Sequence, residues 1–255
     1  MTELTLHRLG TPGAPAMVLV HGLTDDGTNW PDAVERWRDR YDLVAVDLRG
    51  HGTSPRFEAS QLADVCAVMQ RDLEEVLASV GAPAVLVGHS LGGFLAARVA
   101  LERPDLVRAA VLEDPAKPPP VDDPHFDITG FRDQQVTFVE AVTSHRADEV
   151  ARMGRETPLS SAEIEAWADS KPRVDRVYLR EGLRLTSGPW EQGLFSELTV
   201  PTLILTPVDG EMAPDPDLIV NPLVRCVDIE GAGHCVRRDR PEAYFAAVDA
   251  FLAGV

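Results

Sequence analysis

A short apolar run, Ala84-Val85-Leu86-Val87, breaks at Gly88-His89-Ser90-Leu91-Gly92-Gly93 and resumes with helical spacing from Phe94 to Glu102. Four residues of that type predict a strand buried on both faces. A Gly-x-Ser-x-Gly between such a strand and a helix predicts a turn too tight for Cβ atoms on either side of the serine. Ser90 would then sit in a strained backbone conformation with its hydroxyl exposed, beside the unpaired N–H groups and positive end of the following helix. That is the environment of a nucleophile. The alternative is a glycine-rich turn whose serine only caps the helix.

The rest of the chain repeats the same grammar. Residues Leu4–Leu9 alternate like an edge strand, and Ala16–Val20, Leu43–Val46 and Ala109–Leu112 are continuous apolar runs. A helix with Pro31 in its first turn reaches about Arg40, and a long amphipathic helix is predicted from about Ser60 to Val80. Strands alternating with helices at this spacing predict a mainly parallel, doubly wound α/β sheet, whose ligands sit beyond the carboxyl ends of the strands. The loops after Val20, Val46 and Val87 all fall at that edge.

The pattern changes after Glu113-Asp114-Pro115. Lys117-Pro118-Pro119-Pro120 cannot be helix and reads as an extended hinge. Short amphipathic helices follow, at Gln134–His145, Asp148–Arg155, Ser161–Ser170 and Val174–Leu183, before strand patterns return at Pro201–Leu205 and Val224–Ile229 and a closing helix at Pro241–Leu252. The expected organisation is a core made of residues 1–115 and 200–255, with a helical cap or lid, residues 116–199, inserted before the last strands.

The net charge of −17, from 24 basic and 41 acidic residues, argues against nucleic acid and anionic membrane as partners and reads most simply as solubility. No stretch approaches a membrane span, and the start of the chain lacks the pattern of a secretory signal. Three scattered cysteines, Cys66, Cys226 and Cys235, suit free thiols and a cytoplasmic location. Cys235 beside His234 lacks the further ligands a zinc site needs, so no metal or cofactor is expected. The expected partner is a small-molecule substrate; the oligomeric state is not legible.

Four segments together resemble the α/β-hydrolase superfamily: His21-Gly22 after a strand, Asp47-x-Arg49-Gly50-x-Gly52-x-Ser54, Gly88-His89-Ser90-Leu91-Gly92-Gly93, and Gly231-Ala232-Gly233-His234. The resemblance covers the chain apart from the details of its helical insertion, and implies a cap that roofs the active site. It also implies an oxyanion hole made by the backbone N–H groups of Leu23 and Leu91.

A serine hydroxyl needs a base, and His234, in a glycine-flanked loop after the last strand, is the candidate among seven histidines. His21, His51 and His89 are expected to shape loops, and Arg49 with Asp47 to clamp one. The carboxylate that orients His234 has two candidates. The family usually places it just after the strand Pro201–Leu205, but there Gly210 occupies the expected position, with Asp209 and Glu211 on either side. Other members take it from the end of the strand before the cap, where Asp114 stands. Asp114 is preferred, with Asp209 the alternative. Trp30, Trp167 and Trp190 are candidate substrate-binding residues. Arg173, Arg176, Arg180 and Arg184 read as a solvated helix face, or else as a site for a carboxylated substrate.

The expected activity is that of a serine hydrolase acting on an ester, lactone or other activated carbonyl through an acyl-enzyme, carboxylesterase- or lactonase-like. Serine rather than aspartate at the elbow sets it apart from the dehalogenases and epoxide hydrolases of this fold. Carbon–carbon bond hydrolysis uses the same triad. Alternatives are non-hydrolytic chemistry in the same fold (a lyase, cyclase or perhydrolase) and a ligand-binding protein with a decayed triad, suggested by Gly210.

Overall fold

The computed structural model describes residues 3–119, 126–184 and 190–255. Pro120 of the proline hinge, His125, and residues 185–189 of the insertion lie outside them. Among the described residues seven strands form one sheet: β1 (Leu6–Arg8), β2 (Ala16–Val20), β3 (Asp42–Val46), β4 (Ala84–His89), β5 (Val107–Glu113), β6 (Thr202–Pro207) and β7 (Val224–Ile229). Their order is β1-β3-β2-β4-β5-β6-β7. Only β1 runs antiparallel, and the register aligns Leu19, Val87 and Val111 across the centre.

Period-two alternation divides these strands between two apolar layers. Val18, Val20, Val46, Leu86, Ala110, Leu112 and Ile204 face helices α2 (Val65–Ser79) and α3 (Leu91–Glu102). Met17, Leu19, Leu43, Ala45, Val85, Val87, Val111, Leu203 and Leu205 face the opposite layer, built on α1 (Pro31–Trp37) and the closing helix Pro241–Leu252. The doubly wound sheet is therefore observed. Between β5 and β6 lie α4 (Ile128–Ser144), α5 (Arg146–Glu156) and α6 (Ser161–Ser170). After β7 come the short α7 (Val236–Asp239) and then α8 (Pro241–Leu252).

Several boundaries differ from the sequence expectation, α4 among them, which begins at Ile128 rather than Gln134. The first strand is shorter than predicted. The helix predicted from Ser60 begins at Val65, because Ala59–Gln61 closes a separate 3-10 turn through Glu58 N–H to Gln61 Oε1, 2.9 Å. The helix predicted over Val174–Leu183 is replaced by a 3-10 turn at Lys171–Arg173 and a wide π-type turn at Tyr178–Gly182. Pro172 breaks the spiral, and the Asp175 N–H bonds out to Gly50 O at 2.7 Å. The residues of α7 carry no apolar periodicity and were not legible as a helix.

Candidate active site

Ser90 stands between β4 and α3 with φ 52° and ψ −115°, a strained conformation for a residue with a Cβ. Its flanking glycines are a packing requirement: a Cβ on Gly88 would overlap Gly92 O, and one on Gly92 would overlap Val20 O. Gly92→Ala is accordingly expected to destabilise the fold by about 2–3 kcal/mol, read as a lowered urea midpoint at unchanged slope. The turn is tied down by Ser90 N–H to Glu113 O and Ala116 N–H to Ser90 O, both 2.9 Å.

The next strand supplies a carboxylate. Asp114 also has positive φ, 35°, and its N–H bonds to Leu205 O at 2.8 Å, so the sheet fixes its backbone just past the end of β5. Its Oδ2 lies 2.6 Å from His234 Nδ1. The carboxylate is buried, while 43% of the His234 side chain is exposed. With Nδ1–H donating to Asp114, Nε2 of His234 carries the free lone pair, the form a proton acceptor needs. The His234 loop is seated on the elbow itself: the His89 and His234 rings lie 4.8 Å apart, and His89 Nε2 donates to His234 O at 3.2 Å. Among the described residues no hydrogen bond joins Ser90 Oγ to His234, a contact that commonly tightens only with substrate bound.

Asp209 is elsewhere. It is exposed in the turn after β6, closed by Gly210 N–H to Pro207 O at 3.1 Å. Of the two candidate acids, the structure brings Asp114 and not Asp209 to the histidine.

The candidate oxyanion donors flank Ser90. Leu91 is the first residue of α3, so its N–H has no intrahelical partner. Gly22 packs on Ser90, where an added Cβ would stand 3.4 Å from Ser90 Cβ, and Leu23 follows it. His21 Nε2 accepts from Leu48 N–H at 3.0 Å, which leaves Nδ1–H to donate to Gly22 O at 2.7 Å. Burial pushes the His21 pKa down, in keeping with this neutral ring. His51 reaches Leu23 O with Nε2 at 2.6 Å and Arg49 O with Nδ1 at 3.0 Å. Burial, then the neighbouring His21, lowers its pKa to about 3, so the ring has one proton and the shorter contact takes it. Both histidines hold loops.

Arg49 and Asp47 do not pair with each other, contrary to the clamp the sequence suggested. Arg49 binds Asp72 through Nε at 2.8 Å and a terminal nitrogen at 3.0 Å. Asp47 accepts from the N–H groups of Gly27 and Thr53, both at 2.8 Å, and from His7 Nε2 at 2.9 Å.

All three candidate tryptophans are buried. Trp30 packs in the α1/α8 layer beneath the Arg237 guanidinium, Trp167 against Val142 and Ala168, and Trp190 edge-on to Phe195. Three of the four arginines of this run are engaged by the protein: Arg173 by Asp26 at 2.7 Å, Arg176 by the carbonyls of Lys171 and Val174, Arg180 by Glu140 at 3.0 Å. Among the described residues no group of His, Cys, Asp and Glu side chains is placed to hold a metal ion, and no helix is long and apolar enough to cross a membrane.

A feature the sequence did not disclose lies behind the site. Asp25, Glu163, Lys171, Arg237 and Arg238 are all buried and mutually paired. Lys171 Nζ meets Asp25 Oδ1 at 2.6 Å, Arg238 meets Asp25 Oδ2 at 2.9 Å and Glu163 Oε2 at 3.0 Å, and Arg237 meets Glu163 Oε1 at 2.5 Å. Glu113, the neighbour of Asp114, accepts from the Arg237 N–H at 2.7 Å and so holds the segment just after His234. The adjacent Asp25-Asp26 and Arg237-Arg238 pairs were visible signals, but nothing in their spacing says that they meet.

A parallel sheet with a strained serine elbow at its carboxyl edge, and a histidine–carboxylate pair seated against it, has the architecture of an α/β-hydrolase. The model of the alpha/beta hydrolase family matches residues 17–248, and the chain belongs to that family. It is 30% identical over 263 residues to the sn-1-specific diacylglycerol lipase ABHD11 of Mus musculus, covering 96% of this chain and 83% of that one. A stretch of 104 residues is 36% identical to the dihydrolipoyllysine-residue acetyltransferase component of the acetoin cleaving system of Cupriavidus necator, spanning 40% of this chain and only 27% of that protein. Among solved structures, the enol-lactonase of Burkholderia xenovorans LB400 superposes with a TM-score of 0.77 over 99% of this chain and 97% of that one, at 18% identity, a likeness of fold. The matched relatives include several α/β-fold hydrolases, which supports a hydrolase here.

Proposed function

We propose that the chain is a serine hydrolase that cleaves an ester, lactone or other activated carbonyl compound through an acyl-enzyme. The observation that carries this reading is the 2.6 Å contact between His234 Nδ1 and Asp114 Oδ2, made across 120 residues of chain directly against the Ser90 elbow. In the proposed cycle Ser90 Oγ attacks the carbonyl carbon as its proton passes to His234 Nε2. The negative charge that develops on the carbonyl oxygen is met by the N–H groups of Leu23 and Leu91, each worth about 3–4 kcal/mol in the transition state. His234 returns the proton to the leaving alkoxide oxygen, and the bond to it breaks. A water molecule then attacks the acyl-serine, giving its proton to His234; His234 passes that proton to Ser90 Oγ as the acyl–oxygen bond breaks, which releases the acid and restores the serine. Asp114 stays ionised throughout, fixing the tautomer of His234 and stabilising its cation.

Hydrolysis is favoured over non-covalent ligand binding because each part of the triad apparatus has a candidate residue, the acid included. The test is covalent labelling by a fluorophosphonate probe together with turnover of a panel of p-nitrophenyl esters and lactones. The expected result is labelling of the wild-type chain, its abolition in Ser90→Ala, and a burst of p-nitrophenol on mixing with ester. Failure of the folded wild-type protein to label would overturn the nucleophile assignment. Labelling without hydrolytic turnover on any member of the panel would instead favour non-hydrolytic chemistry at the same serine.

A further inference from the structure

Three successive carbonyls of the loop after β2 are each held by a side chain. His21 Nδ1 donates to Gly22 O at 2.7 Å, His51 Nε2 to Leu23 O at 2.6 Å, and Lys171 Nζ to Thr24 O at 3.0 Å. In a trans peptide the N–H points opposite to the C=O of the same unit, so holding Gly22 O aims the Leu23 N–H, and holding the next two carbonyls stops that unit from rotating. The turn is closed by Asp25 N–H to Gly22 O at 3.2 Å, which ties the position of Asp25 to the same peptide.

Two of the three donors come from the sheet side of the molecule. The third does not. Lys171 lies just past α6 in the helical insertion, is fully buried, and also meets Asp25 Oδ1 at 2.6 Å and Ser170 Oγ at 3.1 Å. Burial costs an ammonium its hydration, and burial depresses the Lys171 pKa while Asp25 opposes this. A buried cation that spends two donors on the carbonyl and the carboxylate of a single turn, and the third on the Ser170 hydroxyl beside it, is placed to hold that turn. Asp25 relays the restraint further. Its other oxygen takes Arg238, four residues beyond His234, so one carboxylate ties the Leu23 loop to the His234 segment.

Resting on the serine-hydrolase reading above, we infer that Lys171 is a positioning residue for the oxyanion hole: the cap supplies through it the last of three restraints on the loop that carries the Leu23 N–H. The insertion then completes the catalytic edge. An interaction that acts on the oxyanion donor is felt in the transition state more than in the substrate complex, so its loss falls on kcat rather than KM.

The variants are Lys171→Met, which keeps the stem and removes the donor, and the double exchange Asp25→Asn with Lys171→Met, which removes one negative and one positive charge together. The double variant leaves Glu163 and Glu113 facing Arg237 and Arg238, so the buried charges stay balanced and folding is protected. Hydrogen exchange of residues 21–29 and ester kinetics are measured on both variants and on wild type. The expected result is at least about 10-fold faster exchange in that segment, with kcat lower by about 10- to 100-fold and KM within about threefold. Unchanged exchange in a folded variant overturns the inference, whatever the activity. So does faster exchange with unchanged kcat in a protein whose wild type turns over. If wild type hydrolyses nothing on the panel, the hydrolase reading fails, and the exchange measurement by itself decides whether Lys171 holds the loop.

Discussion

Asp114→Asn is expected to lower kcat by about 10,000-fold with little change in KM, whereas Asp209→Asn leaves both within about twofold. The asymmetry comes from the tautomer. Asp114 Oδ2 accepts from His234 Nδ1–H at 2.6 Å, which leaves Nε2 unprotonated toward the serine. An asparagine there can present its NH2 group to Nδ1, and the ring then carries its proton on Nε2, where it cannot take one from Ser90. Asparagine is the right exchange because it tolerates the positive φ of 35° at this position about as well as aspartate does, so the backbone bond to Leu205 O survives. Asp209 shares the unusual backbone, φ 57°, but is exposed in its turn. Glu113 gives a further control. Its bond to the Arg237 N–H acts on the segment after His234, so Glu113→Gln, which keeps an acceptor oxygen, should cost far less than Asp114→Asn. Steady-state kinetics on an ester that wild type turns over checks all three. Full activity in Asp114→Asn would place the acid elsewhere and would revive Asp209.

The fold and the elbow were legible because both are written in local pattern. Apolar runs of strand length ending in Gly22, Gly88 and Asp114 mark the carboxyl edge of a parallel sheet, and the glycines at 88 and 92 are there because backbone atoms occupy the space of their Cβ atoms. The acid was only half legible. A carboxylate at a strand end is common, and which of Asp114 and Asp209 meets His234 depends on how the turn after β6 folds, a matter of one residue at Gly210. The buried ion cluster was not legible at all. Lys171 sits beside a helix-breaking proline and Arg237 beside a second arginine, features that on sequence belong to a solvated surface. They are buried because three segments more than 60 residues apart from one another bring opposite charges to one place, and no periodicity encodes that. For the same reason the π-type turn at Tyr178–Gly182 displaced a predicted helix: Asp175 found its backbone partner on Gly50, in another part of the chain.

Within that cluster Glu163 is the residue whose loss should cost the fold most. Its side chain is fully buried, with Oε1 on Arg237 and Oε2 shared between Arg237 at 3.2 Å and Arg238 at 3.0 Å. Burial alone would raise its pKa; the guanidinium of Arg237, then that of Arg238, outweighs burial and holds it below the ordinary carboxylate range. Glu163→Gln keeps the shape and removes the charge, leaving the Arg237 side chain buried without its carboxylate. Breaking a buried pair from one side costs about 3–5 kcal/mol, since the remaining charge keeps its desolvation penalty. For a chain of this size that corresponds to a fall in Tm of about 10 °C. Removing both partners, as in Glu163→Met with Arg237→Met, should return most of the loss, because neither charge then has to be buried. The pH dependence carries the sign of a depressed carboxylate: the stabilisation is complete above the unfolded value, roughly pH 4, and fades as pH falls below it. Urea denaturation should therefore find the gap between wild type and Glu163→Gln widest near neutral pH and narrowing below about pH 4. A gap that stays constant down to strongly acidic pH would mean that Glu163 stabilises the fold by packing alone, and that Arg237 is held by the carbonyl of Asn29 rather than by the carboxylate.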